Sequence, residues 1–403
     1  MVRAFIVFFC VLAAGPGTAA TGDSVRIGVL TASLGVAGDL SGEGSVLAAQ
    51  MAVEDFGSMV LGKPVEIVAA GHQNRPSVGG TIAQRWFEHR GADVIVDVPN
   101  ASVAEVVRQI ARDQRGLMIQ GYAGILTRPE CQSNIVTWAF DGEIVTRSIV
   151  AALKERGRHS WHLLSPDTRH SAETATSIHD IMKEAGANLV GSHRFPLSST
   201  GDKQDTTALL ADKLMAPNGT AVFLNAGPAA TKSVALRLHR ELGGRRLSQI
   251  YSQSYPALRD NKNLNEIADE IIYALPYRRD NAAMLAFSER FSARADGRTP
   301  SILQIGIYSA VTHYLRAVRA LGTQHPGEAV GAKMQELPVS DPIFGKGKIL
   351  PDGRRLGDIY VTAFRAADGQ DHVLSRRSYD DNMARISPCA RLAKPIPSVT
   401  APD

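Results

Sequence analysis

The chain has 403 residues, 44% of them hydrophobic and 21% charged, with a formal net charge of +4 from 44 Lys and Arg against 40 Asp and Glu. This globular composition excludes collagen-like, coiled-coil and disordered chains, and the length implies two domains, because single cores stop growing near about 250 to 300 residues. So thin a surplus of positive charge does not drive binding to nucleic acid.

Residues 1–20 read as a cleavable secretory signal. Arg3 supplies the positive start, 4–14 is an apolar run, and Gly15, Pro16 and Gly17 break it before the small residues Thr18, Ala19 and Ala20. That run is about half of the roughly 20 residues needed to span a bilayer core, so an exported, periplasmic product beginning at Thr21 is expected rather than an anchor. Cys10 leaves with the signal, so Cys131 and Cys389 are the two thiols left in an oxidising compartment. They are expected to form one disulfide that pins the tail, worth about 4 to 5 kcal/mol in the chain-entropy model.

From residue 25 onward, short apolar runs alternate with amphipathic stretches. The pattern predicts strands over 25–30, 65–69, 94–98 and 117–120, and helices over 44–56, 77–89 and 102–112. The run Val94-Ile95-Val96-Asp97-Val98 suits a central parallel strand covered on both faces. After a loop rich in Gly and Pro the rhythm repeats: helices over 142–155, 174–185, 205–214 and 229–242, with strands over 160–165, 188–194, 221–224 and 249–252. Two successive doubly wound α/β sets predict two lobes with a cleft between them. Helical stretches over 283–293 and 301–321 have no strand series of their own and are expected to complete the first lobe. A loop and hairpin are expected over 341–355 and a late strand over 359–364. Residues 391–403, with three prolines, are expected to be a disordered tail.

Enzymatic signatures are scarce. Phe344-Gly345-Lys346-Gly347-Lys348 lacks the spacing and the hydroxyl of a phosphate loop, and Gly42-Glu43-Gly44 lacks the third glycine of a dinucleotide fingerprint. There is no nucleophile elbow and no metalloprotease helix motif. His159 and His162 enter a predicted strand, where residues three apart point to opposite faces. The sequence therefore implies no enzyme, no cofactor and no metal.

Stronger candidates lie where predicted strands end and helices begin, because ligands of open α/β sheets sit at strand carboxyl ends, near helix amides that favour anions. Asn100, Ala101 and Ser102 follow 94–98, with Ser102 as the expected helix cap. Gly121, Tyr122 and Ala123 follow the next strand, Asp167, Thr168 and Arg169 follow 160–165, and Asn225 follows 221–224. Helix capping alone, worth about 1 kcal/mol, explains such residues as readily as a ligand does.

Several segments are similar to one family. Arg26-Ile27-Gly28-Val29-Leu30, Leu40-Ser41-Gly42-Glu43-Gly44-Ser45 and Ala48-Ala49-Gln50-Met51-Ala52-Val53-Glu54-Asp55-Phe56 resemble the opening of periplasmic binding proteins of the leucine/isoleucine/valine type. The likeness continues through His72-Gln73-Asn74-Arg75-Pro76, Gln304-Ile305-Gly306-Ile307-Tyr308-Ser309 and Asp341-Pro342-Ile343-Phe344-Gly345-Lys346-Gly347. The branch it resembles most is often linked to aromatic acids.

The resemblance implies a type I periplasmic binding protein fold: two Rossmann-like lobes joined by three hinge crossings, here near Phe140, Leu275 and Leu337, with a ligand cleft between them. Lobe I would comprise 24–140 plus 276–338, and lobe II 141–275 plus 339–390. Family members hold a ligand carboxylate on the segment matching Asn100, Ala101 and Ser102. The loop matching Gly121, Tyr122 and Ala123 is one residue shorter and lacks Ser or Thr donors, which leaves Tyr122 as donor and stacking face. Leu34, Gly35 and Ala37 stand where Ser-Gly and an aromatic are usual. Asp167 is retained, Thr168 replaces an aromatic with Arg169 and His170 close behind, and Arg278 or Arg279 replaces another. These departures widen the pocket and make it more cationic, which suits an anionic solute with no ammonium group better than a plain branched-chain amino acid. The implied function is solute capture as a monomer for an ABC importer permease in the inner membrane. The alternative is a ligand-sensing or accessory role for a membrane receptor or a periplasmic oxidation system.

Overall fold

The computed structural model describes residues 24–32, 40–89, 91–123, 133–195, 214, 220–245, 247–252 and 265–378. The expected signal, Cys131, Cys389, the tail, the positions Leu34, Gly35 and Ala37, and nearly all of the expected helix over 205–214 lie outside these residues. Among the described residues no helix is long and apolar enough to cross a membrane.

The first α/β set runs β1 (Val25–Thr31), α1 (Gly42–Phe56), β2 (Met59–Val60), β3 (Lys63–Gly71), α2 (Pro76–Glu88), β4 (Val94–Asp97), α3 (Ala101–Asp113), β5 (Leu117–Ala123) and β6 (Ile135–Asp141). These strands form one sheet in the order β2-β3-β1-β4-β5-β6, parallel apart from the short β2. Strand alternation sorts the side chains onto two faces. Ile27, Val29, Val94, Val96, Leu117 and Ile119 meet Ala48, Ala49 and Ala52 of α1 on one side. Leu30, Ile95, Val98 and Met118 meet Ala83 of α2 and Val103 and Val107 of α3 on the other.

The second set runs α4 (Gly142–Glu155), β7 (Ser160–Pro166), α5 (Arg169–Glu184), β8 (Asn188–Phe195), β9 (Thr220–Leu224), α6 (Pro228–Leu242), β10 (Leu247–Ser252) and β11 (Ala268–Leu275). The chain then adds α7 (Ala282–Arg294), α8 (Ile302–Leu321), α9 (Gly327–Glu336), β12 (Val339–Asp341), β13 (Gly345–Ile349), β14 (Arg355–Arg365) and β15 (Gln370–Ser378). The second sheet has the order β12-β13-β14-β11-β10-β9-β7-β8, with β15 paired to β14; β7 to β11 are parallel and the late strands antiparallel.

Helix α8 packs on α1, β5 and β6, so the late helices do complete the first layer. A hydrogen bond from Trp138 Nε1 to Ser309 Oγ, 2.8 Å, fixes α8 to β6. The chain passes from the six-stranded to the nine-stranded sheet after Asp141, leaves it after Leu275, and re-enters it at Val339. Where the two sheets meet, the Thr137 amide donates to Gly353 O at 2.8 Å. Gly353 sits at φ 81°, and a Cβ there would lie 1.9 Å from Ile135 O, so only glycine admits this approach.

Three features correct the sequence reading. Helix α3 starts at Ala101 with Asn100 as its cap, not at Ser102, because Asn100 Oδ1 reaches the Val103 amide at 3.1 Å. Helix α5 starts at Arg169, five residues before the expected 174, because the Thr168 hydroxyl accepts from the Ser171 amide. The single strand expected over 359–364 is one of a pair: β15 lies beside β14 as a largely polar edge strand without an apolar run to reveal it.

Candidate functional site

Five helices begin within five residues of a strand carboxyl end: α2 after β3, α3 after β4, α4 after β6, α5 after β7 and α6 after β9; α1 follows β1 at a greater distance in sequence. A helix start at a strand carboxyl end favours an anion there, although side-chain caps already take some first-turn amides: Asn100 at α3, Asp141 at α4 and Thr168 at α5.

At the first sheet, the end of β4 is built from buried polar groups. Asp97 is wholly buried, with φ 85°, and Val98 follows at φ 48°. The Ser41 hydroxyl donates to Asp97 Oδ2 at 2.5 Å, Ser41 and Thr31 share a short hydroxyl contact, and the Gly42 amide donates to Thr31 Oγ1 at 2.6 Å. Burial pushes the Asp97 carboxyl up to about 6, against the opposing pull of the Ser41 hydroxyl. Two strands over, beyond β1, His72 is buried just past the end of β3, its Nδ1 accepting from the Asn74 amide at 3.1 Å, and burial lowers its proton affinity.

Asn100 is part of this edge, but its side chain is committed. Its Oδ1 caps α3 and its Nδ2 donates to Asn74 Oδ1 at 3.4 Å. Ala101 and Ser102, by contrast, are exposed at the head of α3. Gly121 is buried where the β5–β6 register shifts, with Leu303 and Ile307 of α8 nearest to it. Tyr122 and Ala123 close β5 opposite Phe140 and Asp141, and their side chains lie outside the described residues.

At the second sheet, Asn225 Nδ2 reaches Ser165 Oγ at 3.2 Å and Ser171 O at 3.4 Å, and Thr168 Oγ1 donates to Ser171 Oγ at 2.9 Å. Thr168 and Asn225 are thus brought together around Ser171. Asp167 is exposed and faces Arg194 at 3.6 Å. The side chain of Arg169 lies outside the described residues. Arg278 is bound through Nε to Asp280 Oδ1 at 2.8 Å and through Nη2 to Asp280 Oδ2 at 2.5 Å, an exposed pair that engages its guanidinium where it stands. Arg279 faces Asp371 at 3.6 Å.

Sequence reasoning missed Thr31, Ser41 and Asp97. Asp97 was read as one member of an apolar strand; the available signal was a lone carboxylate inside a β-branched run, which the core does not accept without partners. Among the described residues no group of His, Cys, Asp and Glu is arranged to hold a metal ion. Grooves of about 620 and 420 Å³ lie between α2 and α3 and between α1 and α7, reached from the helix heads by Pro76 and by Glu43, and none of the candidate ligand-binding residues lines them.

A family model described as periplasmic binding protein matches residues 24–370. No curated protein matches the chain. Among solved structures, a branched-chain amino acid ABC transporter periplasmic ligand-binding protein from Burkholderia xenovorans is 26% identical, with TM-score 0.78 over 91% of this chain and 98% of its own. A periplasmic binding protein from Burkholderia mallei is 25% identical, with TM-score 0.74 over 88% and 95%. A solute-binding protein of an ABC transporter from R. palustris, in complex with benzoate, shares the fold at 17% identity, with TM-score 0.71 over 89% and 98%. Two α/β lobes linked by three passages of the chain, together with a family match that runs through both, establish that this chain belongs to the periplasmic binding protein family.

Proposed function

We propose that the chain is an exported solute-binding protein that captures a small organic anion between its two lobes and presents it to an ABC importer permease in the inner membrane. The signal at 1–20 would deliver it to the periplasm as a monomer. Residues 24–140 plus 276–338 would form one lobe and 141–275 plus 339–390 the other, with the three passages of the chain as the hinge. No step of chemistry on the solute is involved.

The observation that carries this reading is the head of α3, where exposed Ala101 and Ser102 offer amides and a hydroxyl at the carboxyl end of the central strand β4. A carboxylate there accepts charge-assisted hydrogen bonds and meets the positive end of the helix dipole. Thr168, Arg169 and Asn225 would close on the ligand from the second lobe, with Tyr122 as a stacking face. Arg278 contributes less than its charge suggests, because Asp280 already pairs with it. The benzoate held by the R. palustris protein has the same chemistry, an aromatic ring with one carboxylate and no ammonium.

A thermal-shift screen against aromatic acids, short organic acids, amino acids and neutral amides tests the proposal. An acid present at a hundred times its dissociation constant should stabilise the protein by about 2.7 kcal/mol. A flat response across all four classes would contradict solute capture, and a response to amides or free branched-chain amino acids alone would contradict the anionic reading.

A further inference from the structure

The buried carboxylate of Asp97 is more than a strand residue. Its Oδ2 takes the single proton that Ser41 can donate, so Ser41 must accept from Thr31, and Thr31 accepts the Gly42 amide, the first of α1. One chain of hydrogen bonds therefore ties the head of α1 and the end of β1 to the end of β4. Its other oxygen, Oδ1, is buried without a well-formed hydrogen bond, and the buried Ser45 hydroxyl of α1, also without one, stands beside the carboxyl. A buried carboxylate with an oxygen so placed is costly when ionised and acceptable when that oxygen carries a proton.

The backbone at this point is strained. Asp97 and the β-branched Val98, which precedes Pro99, both sit at positive φ. Such backbone persists only where its surroundings fix it, and here it aims Pro99 and Asn100 into the head of α3. Asn74, itself at φ 54° and beyond the end of β3, two strands away, accepts from Asn100.

We propose that Asp97 is a positioning residue of the ligand site: a proton-held latch that joins β1 and α1 to β4 and thereby sets the direction of Ala101 and Ser102. This rests on the reading of Ala101 and Ser102 as the anion-binding segment. Protonated Asp97 keeps the latch closed, and ionisation loosens it, because opening lets the carboxylate reach water. The groups around it are Thr31 on β1, Ser41 before α1, Ser45 and the exposed Glu43 on α1, His72 at the end of β3, Gln120 on β5 with Arg108 behind it, and Gln304 of α8 on the Ser41 carbonyl. None of them forms an ion pair with Asp97, so its proton depends on burial and the hydroxyl chain.

The test is amide hydrogen exchange of the full chain, read at residues 98–104 and, as control, at β7 to β11, for the wild type, Asp97→Asn and Asp97→Ala at pH 5 and 7.5, with benzoate affinity measured in parallel. Asn keeps the acceptor for Ser41 and tolerates positive φ, so its exchange at pH 5 should match the wild type within about threefold. Ala should exchange at least tenfold faster at 98–104, with the control strands unchanged. Raising the pH should speed the wild type about tenfold relative to Asp97→Asn, and His72 cancels in that ratio because both proteins carry it. Unchanged exchange at 98–104 in Asp97→Ala, or a ratio independent of pH, would overturn the proposal. So would benzoate binding weakened by Ser102→Ala but untouched by Asp97→Ala. If neither substitution affects bound benzoate, the reading of the segment fails and the positioning role falls with it.

Discussion

At the carboxyl edge of the six-stranded sheet the polar groups are sealed in: Ser41, His72 and Asp97 are wholly buried, and hydrogen bonds link strand ends to one another and to the head of α1. At the same edge of the nine-stranded sheet, the side chains of Asp167 and Arg194 are 64% and 61% exposed, and among the described residues Thr168, Ser165, Ser171 and Asn225 form a compact group. The contrast separates two tasks. A site fixed in advance loses little conformational entropy on binding, so the first edge suits the fixed half of an anion site. The second edge keeps charges in solvent, where an ion pair is worth about 0 to 1 kcal/mol and its partners reorient cheaply.

The largest expected effect sharpens this contrast through pH. The Asp97 carboxyl moves from its ordinary 3.8 to about 6 in the fold, so the native state holds the proton more tightly than the unfolded chain. Its contribution to stability is present in full below pH 3.8 and is lost as the pH rises through 6, by roughly 2 to 3 kcal/mol in all. Urea unfolding from pH 4 to 7.5 should show that slope in the difference between the wild type and Asp97→Asn, because His72, His313 and Asp141 are carried by both proteins and cancel.

Next comes Ser102→Ala, which should weaken binding of an aromatic carboxylate about tenfold, or 1.4 kcal/mol, by titration calorimetry. Stability should change by less than about 0.5 kcal/mol, because Ser102 is exposed. Removing the caps should cost about 1 kcal/mol at either edge. Asn100→Ala should also loosen the ligand segment, whereas Thr168→Ala should leave exchange at 98–104 unchanged, and equal effects of the two would erase the distinction between the edges. Smallest is Arg278→Gln, where loss of an exposed pair with Asp280 should shift unfolding by no more than about 0.5 kcal/mol and leave acid affinity nearly unchanged.

Most of the architecture was legible because buried parallel strands advertise themselves as β-branched runs, as Val94 to Val96 do, and because α4 is bounded by clear signals: the Asp141 cap at its head and the Gly157 turn beyond its end. Elements that depend on tertiary contact were not legible. Helix α9 carries Gly327 and Gly331, poor helix formers that are there because a Cβ would lie 2.4 Å from the Leu117 amide nitrogen and 2.0 Å from Ser133 O. Strands β6 and β11 are missed because the segments before them are rich in turn residues, Gly124 and Pro129 in one and Pro256, Asp260 and Asn261 in the other, which draws the short apolar runs that follow into the loops. At the site, local spacing found the strand ends, yet it could not decide between Asn100 and Ser102 as cap, since both are good capping residues two positions apart. Nor could it foresee that Arg278 would pair with Asp280, two residues on.

The central claim is that the head of α3 receives an anion. Titration calorimetry of the purified chain with benzoate, benzamide and leucine addresses it most directly. Benzoate should bind at least tenfold more tightly than either of the others, with Ser102→Ala abolishing most of that margin. Tighter binding of benzamide or leucine, or a margin indifferent to Ser102, would contradict it.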